Sequence, residues 1–414
     1  MRSRPFIRLA TGTALAGVLA LVVGCASTDK TTGGVAIGEP IRVGVILPFS
    51  GSFAREGEEV KRGYELALAD YAQSTTQRPI ELIFGDASAP VDTIAEVDRL
   101  ATREKVDIFI GTYASPASQA GSEAAARYGL PWYETHATTD TLTERKLDNY
   151  IRSTARAVDF GTAAARFVIE GIAPKLGTED VTIFLEHEDG AYGRGVAGAQ
   201  ADLLKSAGFT VVIGAHKASA TDVSDSILAA KAANPDIWVN TGYVADASLL
   251  LRTAAALDFR PAAMMLTGAG DAKSVLEAVG IEDLEGVFVT AYTSQYISED
   301  YAPGMKDFLE KYAAAHGSRP VDSVAMVGYS GFASALMLLE KTKGSTLIAD
   351  LHAAAKSIDL PFGSLPIGWG LSFDDKFQNQ NIRMTGVQWR KNGTTAAVWP
   401  KEAALAGEEI LLNR

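Results

Sequence analysis

Short apolar runs recur along this chain, each followed by a helix-length amphipathic segment, and the series runs twice. IRVGVIL (41–47), PIELIF (79–84), VDIFIG (106–111) and GLPWYE (129–134) make the first set of strands. FAREGEEVKRGYELALADYA (53–72), VDTIAEVDRLATREK (91–105) and the stretch after GTYASPAS (111–118) are their helical partners. A run that is apolar on both faces suits a parallel strand with helices on each side, and crossovers of one hand wind such units into a layered domain. The series restarts with DVTIFLE (180–186), FTVVIG (209–214), DIWVNTG (236–242) and AAMMLTG (262–268), with helices centred near Val196, Leu228, Leu250 and Val275. EGVFVTAY (285–292), two more helices, GWGLSFD (368–374) and MTGVQWRKNGTTAAVWP (384–400) follow, the last with a hairpin-turn signal at KNGT.

This pattern predicts an α/β chain of two doubly wound, three-layer lobes joined by a multi-strand hinge. Lobe 1 is expected from 41–157 with 293–368, and lobe 2 from 158–292 with 369–400, leaving 401–414 as a tail. The cleft between hinged lobes is the expected ligand site.

The N-terminus has a basic start, then an apolar stretch from Leu9 to Val23. Residues 1–24 read as a secretory signal peptide, too short for a comfortable membrane span. VVGC (22–25) resembles a lipobox, so Cys25 is expected to carry a lipid that anchors the chain to a membrane surface. Residues 25–40 are polar and Gly-bearing, a flexible tether. Cys25 is the single cysteine, which excludes an internal disulfide and a multi-cysteine zinc site. The net charge of −12 argues against nucleic acid as a partner.

Catalytic constellations are missing. There is no HExxH, P-loop or GxSxG, and the histidines show no ligand spacing, so no catalytic residue, metal or cofactor is expected. GRGVAG (193–198) matches GxGxxG formally, but HEDGAY separates it from the preceding strand; it reads as a helix start with small packing residues. EHED (186–189) reads as a solvated strand-end loop.

IRVGVILPFSGSFAREGEEVKRGYELAL, DIFIGTYASPAS, GLPWYETHATTDTLTERKLDNYIR, DGAYGRGVA and LEGVFVTAY, in this order, resemble the type I periplasmic binding proteins of ABC importers, the leucine/isoleucine/valine-binding group. The resemblance implies a lobe-closing solute receptor, not an enzyme, that delivers a small amino acid, carboxylate or amide to a membrane permease as a monomer. It implies that Ser115 hydrogen-bonds a ligand carboxylate at a helix start, which favours an anion, and that Thr138 shares the ligand's polar head. It also implies a backbone contact at His136, contacts from Tyr192 and Tyr243 across the cleft, and a wall at Tyr113. Where amino-acid binders of the group carry a glutamate for the α-ammonium, this chain has Ala269 or Gly270. Either Asp246 or Asp271 supplies the counter-charge, or the ligand lacks an amino group, as an aromatic acid or a short amide does. A lipoprotein signalling ligand to a membrane receptor is the alternative use of the same body.

Overall fold

Val45 and Ile46 are neighbours in β1 (Ile41–Leu47), and both are fully buried. Val45 packs with Val60, Tyr64 and Phe332, while Ile46 packs with Val97, Leu100 and Ala124. Successive residues of a strand face opposite ways, so this strand is covered on both faces. The structure is a computed structural model and describes residues 38–71, 78–218 and 220–412. The expected signal peptide, Cys25 and all but the end of the tether lie outside the described residues.

From β1 the chain runs through α1 (Ala54–Tyr71), β2 (Ile80–Asp86), α2 (Pro90–Arg99), β3 (Ile108–Gly111), α3 (Ser115–Arg127), β4 (Trp132–Glu134), α4 (Thr141–Glu144) and β5 (Tyr150–Arg152). These strands make a five-stranded parallel sheet of order β2-β1-β3-β4-β5. The chain then passes through α5 (Ala157–Phe167) and α6 (Ala173–Leu176) into a second winding. This contains β6 (Thr182–Glu188), α7 (Ala191–Ser206), β7 (Thr210–His216), α8 (Ser224–Ala233), β8 (Ile237–Gly242), α9 (Val244–Ala256), β9 (Ala263–Gly268), α10 (Lys273–Val279), α11 (Ile281–Leu284) and β10 (Phe288–Ala291). The order β10-β9-β8-β6-β7 repeats the topology of the first sheet, again parallel.

After β10 the chain returns with α12 (Met305–His316), α13 (Val324–Lys341) and α14 (Ile348–Lys356), then the two-residue strands β11 (Asp359–Leu360) and β12 (Leu371–Ser372). α13 lies against α1 so closely that a Cβ at Gly63 would sit 2.1 Å from the Ala325 carbonyl oxygen. A hairpin, β13 (Thr385–Trp389) and β14 (Thr395–Trp399), extends the second sheet antiparallel to seven strands. Its turn is the expected one, with Gly393 at φ 77° and Arg390 N–H bonded to the Thr394 carbonyl.

Beyond residue 368 the chain still touches the first sheet. Leu371 and Phe373 join the apolar cluster of β1 and α13. Gln378 pairs with Arg152 at the edge of the first sheet, its Oε1 accepting from Arg152 Nε at 2.5 Å. Residues 371–378 therefore pack against the first sheet.

Candidate functional site

In a parallel sheet of this order, ligands sit beyond the carboxyl ends of the strands, where the winding reverses. The loops after β3 and β4 of the first lobe meet those after β8, β9 and β10 of the second at such a place. A cavity of about 420 Å³, its solvent opening included, lies between them. Tyr113, Ser115, His136 and Thr138 line it from the first lobe, and Phe160, Tyr192, Tyr243, Gly268, Ala269 and Tyr292 from the second side. Six of the expected site residues, Tyr113, Ser115, His136, Thr138, Tyr192 and Tyr243, are thus brought together.

The first-lobe end of the cavity is a set of donors. Ala114 is the N-cap of α3, and Ser115 is its first residue, so Ser115 does not cap the helix. The first turn of a helix leaves its N–H groups without intrahelical acceptors. Pro116 lacks one, which leaves those of Ser115 and Ala117. Ser115 Oγ accepts the N–H of Thr139 at 3.2 Å, so its own proton is left to donate. Thr138 lines the cavity beside it, and its carbonyl accepts the N–H of Ala157, the first residue of α5, at 2.7 Å. That bond fastens the loop after β4 to the start of α5.

Behind these loops lies Glu134, fully buried at the end of β4. Its Oε1 accepts the N–H groups of Thr112 at 2.7 Å and of Thr135, His136 and Ala137 at 3.0 Å each. Its Oε2 accepts from Ser118 Oγ at 2.5 Å and Trp132 Nε1 at 3.2 Å. Burial pushes this carboxyl above the usual range, while the bonds from Ala137 and Ser118 pull it back. One side chain thereby joins the loop carrying Tyr113 and Ser115 to the loop carrying His136 and Thr138. The sequence signal for it was a lone acid ending the apolar run GLPWYE.

His136 is neutral: burial lowers its pKa to about 4. Its Nε2–H donates to the Val324 carbonyl at 3.2 Å, and Nδ1 accepts from Thr135 Oγ1 at 2.9 Å. Its N–H is taken by Glu134. His136 therefore presents ring surface to the cavity, and the backbone contact expected there is already committed inside the lobe.

The remaining wall is aromatic. Tyr192 and Tyr243 rings lie 5.3 Å apart, Phe160 and Tyr292 4.9 Å. Phe53, which the sequence reading passed over, touches Tyr113 at 5.3 Å and Tyr243 at 5.0 Å, and so connects the two lobes at the rim. Burial pushes the Tyr113, Tyr192 and Tyr243 hydroxyls above their ordinary range and that of Tyr292 up to about 12, so all four stay neutral at physiological pH. Gly268 has φ +103°, and a Cβ there would lie 2.0 Å from the Tyr192 hydroxyl. Only glycine accommodates both this backbone and that ring.

No residue lining the cavity is acidic. Asp246 accepts the N–H of Tyr243 at 2.9 Å and faces His216 instead. Asp271 lies toward Arg55 and Asp322; burial and Asp322 push its carboxyl up to about 7, against the pull of Arg55. Neither lines the cavity. GRGVAG forms the first turns of α7, where Gly193 N–H binds Glu188 Oε1 at 2.6 Å. EHED is solvated only at its end: Glu186 and Glu188 are 1% and 2% exposed within β6, while Asp189 beyond it is exposed. Among the described residues no group of three His, Cys, Asp or Glu is arranged to hold a metal, and no helix is long and apolar enough to cross a membrane.

The profile of the periplasmic binding proteins matches residues 40–394. This chain belongs to that family. The Leu/Ile/Val-binding protein homolog 7 of Brucella suis biovar 1 (strain 1330) is 32% identical to this binding protein over 372 residues, 88% of this chain and 93% of the relative. The same fold occurs in a branched-chain amino acid transporter substrate-binding protein from Streptococcus pneumoniae in complex with isoleucine (20% identity, TM-score 0.73, covering 90% of this chain and 100% of that one). It occurs again in a solute-binding protein of an R. palustris ABC transporter in complex with benzoate (20% identity, TM-score 0.74, 90% and 99%). Family membership indicates an extracytoplasmic location for this binding protein, and the family is one of binding proteins rather than enzymes.

Proposed function

We propose that this binding protein captures a small carboxylate without an ammonium group, of the aromatic-acid kind, between its lobes and delivers it to the permease of an ABC importer. The observation that carries the reading is the charge of the cavity. Donors from Ser115, Thr138 and the start of α3 gather at one end, rings form the rest, and no acid lines it. A carboxylate at a helix N-terminus is favoured by the aligned peptide dipoles. A buried ammonium with no counter-charge costs several kcal/mol, which weighs against an amino acid. Uncharged rings suit an aryl body, which stacks on them or meets their edges. The benzoate complex of a protein of the same fold supports this choice, and the isoleucine complex marks the competing one.

Lobe closure then hides the ligand from water and strengthens each hydrogen bond to it. In this reading the chain is a monomer held at the membrane by a lipid on Cys25, with residues up to 40 as its tether.

Calorimetry with benzoate, 4-hydroxybenzoate, L-leucine and L-phenylalanine tests the ligand class. The acids are expected to bind and the amino acids not to. Binding of leucine alone overturns the ammonium-free reading, and silence toward every compound overturns capture of a small carboxylate.

A further inference from the structure

A second buried polar cluster lies in the second lobe, outside the cavity. Glu186 on β6, His216 at the end of β7 and Asp246 in the first turn of α9 meet there. His216 Nδ1 is 2.9 Å from Glu186 Oε1, and His216 Nε2 is 3.7 Å from Asp246 Oδ1. The side chains of Glu186, His216 and Asp246 are 1%, 2% and 8% exposed, so all three groups have been taken out of water. The other oxygen of Asp246 accepts the N–H of Tyr243 at 2.9 Å. Tyr243 is the residue on which α9 begins and part of the cavity wall. A line of contacts therefore runs from β6 through the imidazole to the start of α9 and its ring in the cavity.

The charges require that line. Two carboxylates buried beside one imidazole favour its cationic form, which compensates both. Burial by itself lowers the pKa of His216, but the nearby Asp246 carboxylate and the hydrogen bond to Glu186 outweigh it and hold it up at about 9. Other charges nearby are committed or exposed. Glu188, opposite His216 in register, accepts the N–H groups of Gly190 and Gly193. Asp189 accepts the N–H of Ala218, and Asp222, before α8, is bonded to Ser224. Lys217 and Asp225 point to solvent or its edge and have no bond to the imidazole.

We propose that His216 is a positioning residue for ligand capture: as a cation bridging Glu186 and Asp246 it fixes the first turn of α9, and with it Tyr243, in the cavity wall. The inference rests on the capture reading for its effect on affinity, but its effect on α9 is independent of any ligand. With His216 neutral, Glu186 and Asp246 repel without compensation, and the turn that carries Tyr243 loosens. The cavity tyrosines stay neutral between pH 8 and 10, because burial holds all of them above their ordinary range.

Two readouts on the full chain test this. The first is hydrogen exchange of residues 243–247 without ligand, corrected for the intrinsic pH dependence of exchange. Protection is expected to be steady from pH 7 to 8, to fall through pH 9, and to be low at every pH in His216→Gln, with α3 unaffected. The second is benzoate affinity. It is expected to weaken at least about tenfold between pH 8 and 10 in the wild type, the scale of one charged hydrogen bond. In His216→Gln it is expected to be weak and flat across the range. If His216→Gln does not fold, the wild-type pH series decides. Protection of 243–247 that stays constant to pH 10 in the wild type overturns the proposal. Failure of benzoate to bind at any pH removes the aromatic-acid reading alone and leaves the exchange data to judge His216.

Discussion

Ser115 Oγ accepts the backbone N–H of Thr139 at 3.2 Å, and its hydroxyl proton, with no acceptor among the described residues, is free to donate into the cavity. Ser115→Ala removes a donor to a carboxylate, a charged hydrogen bond worth about 1.5–3 kcal/mol. Calorimetry is expected to show benzoate affinity reduced by roughly ten- to a hundredfold. Thr138→Val should act in the same direction. Unchanged affinity in both variants would place the carboxylate elsewhere in the cavity.

Glu134→Ala strips one acceptor from four backbone N–H groups at once. Each buried group left unpaired costs about 1–3 kcal/mol, less whatever water recovers. A loss of about 3 kcal/mol or more is expected in urea unfolding, and ligand affinity should fall with it, because both ligand loops lose their common anchor. A variant of normal stability with normal affinity would mean that the loops hold themselves.

Legibility in the sequence followed how local each signal was. β1, β6, β8 and β9 were readable because an apolar run bounded by helices has one interpretation, and the hairpin at Gly393 because Asn-Gly turns are local chemistry. β5, only three residues long, offers too little pattern. The six site residues that came together sit in loops after strands or at the helix starts that follow them, where position in the winding dictates exposure to the cleft. Phe53, Phe160 and Tyr292 were missed because an aromatic at helical or strand spacing reads as core, and two of the three are also core. EHED was misread for the opposite reason. Glu186 and Glu188 look solvated until β7 pairs with β6 and brings His216 alongside, and strand register is not written in either segment alone.

Asp271 makes folding sensitive to pH. Its carboxyl is at about 7 in the folded chain against an ordinary 3.8, so the folded state holds the proton more tightly than the unfolded state does. That contribution is full below 3.8 and is lost as pH rises through about 7. Asp271→Asn is therefore expected to stabilise the protein at pH 8, by roughly 2 kcal/mol after discounting for its half-buried position, and to change little at pH 4. Urea midpoints at the two pH values read the difference. Equal effects at both would show that neither burial nor Asp322 raises this carboxyl in the folded chain.

Gly268→Ala should damage the cavity more than its size suggests. The backbone at φ +103° is one that side chains rarely adopt, and the added methyl would meet the Tyr192 hydroxyl 2.0 Å away. Strain of about 1–3 kcal/mol is expected, relieved by moving Tyr192 off the ligand. Melting temperature and benzoate affinity should both drop. A stable variant that still binds would show that Tyr192 moves at no cost to the site.

Ala269→Glu tests the charge argument from the other direction. The position lines the cavity, where no acid stands, and a carboxylate there would face both ligand classes. For benzoate it adds a like charge in a site partly shielded from water, where two charges interact more strongly than in bulk; affinity is expected to fall at least about tenfold, a change of 1.4 kcal/mol. For leucine it supplies the counter-charge whose absence makes a buried ammonium costly, so measurable binding should appear in a protein that previously had none. Ala269→Gln separates charge from bulk: it fills the same space, and should weaken benzoate less without admitting leucine. If glutamate and glutamine behave alike toward both compounds, the ligand's second end does not reach Ala269, and the preference against an ammonium must be sought at the rings of Tyr192 and Tyr243.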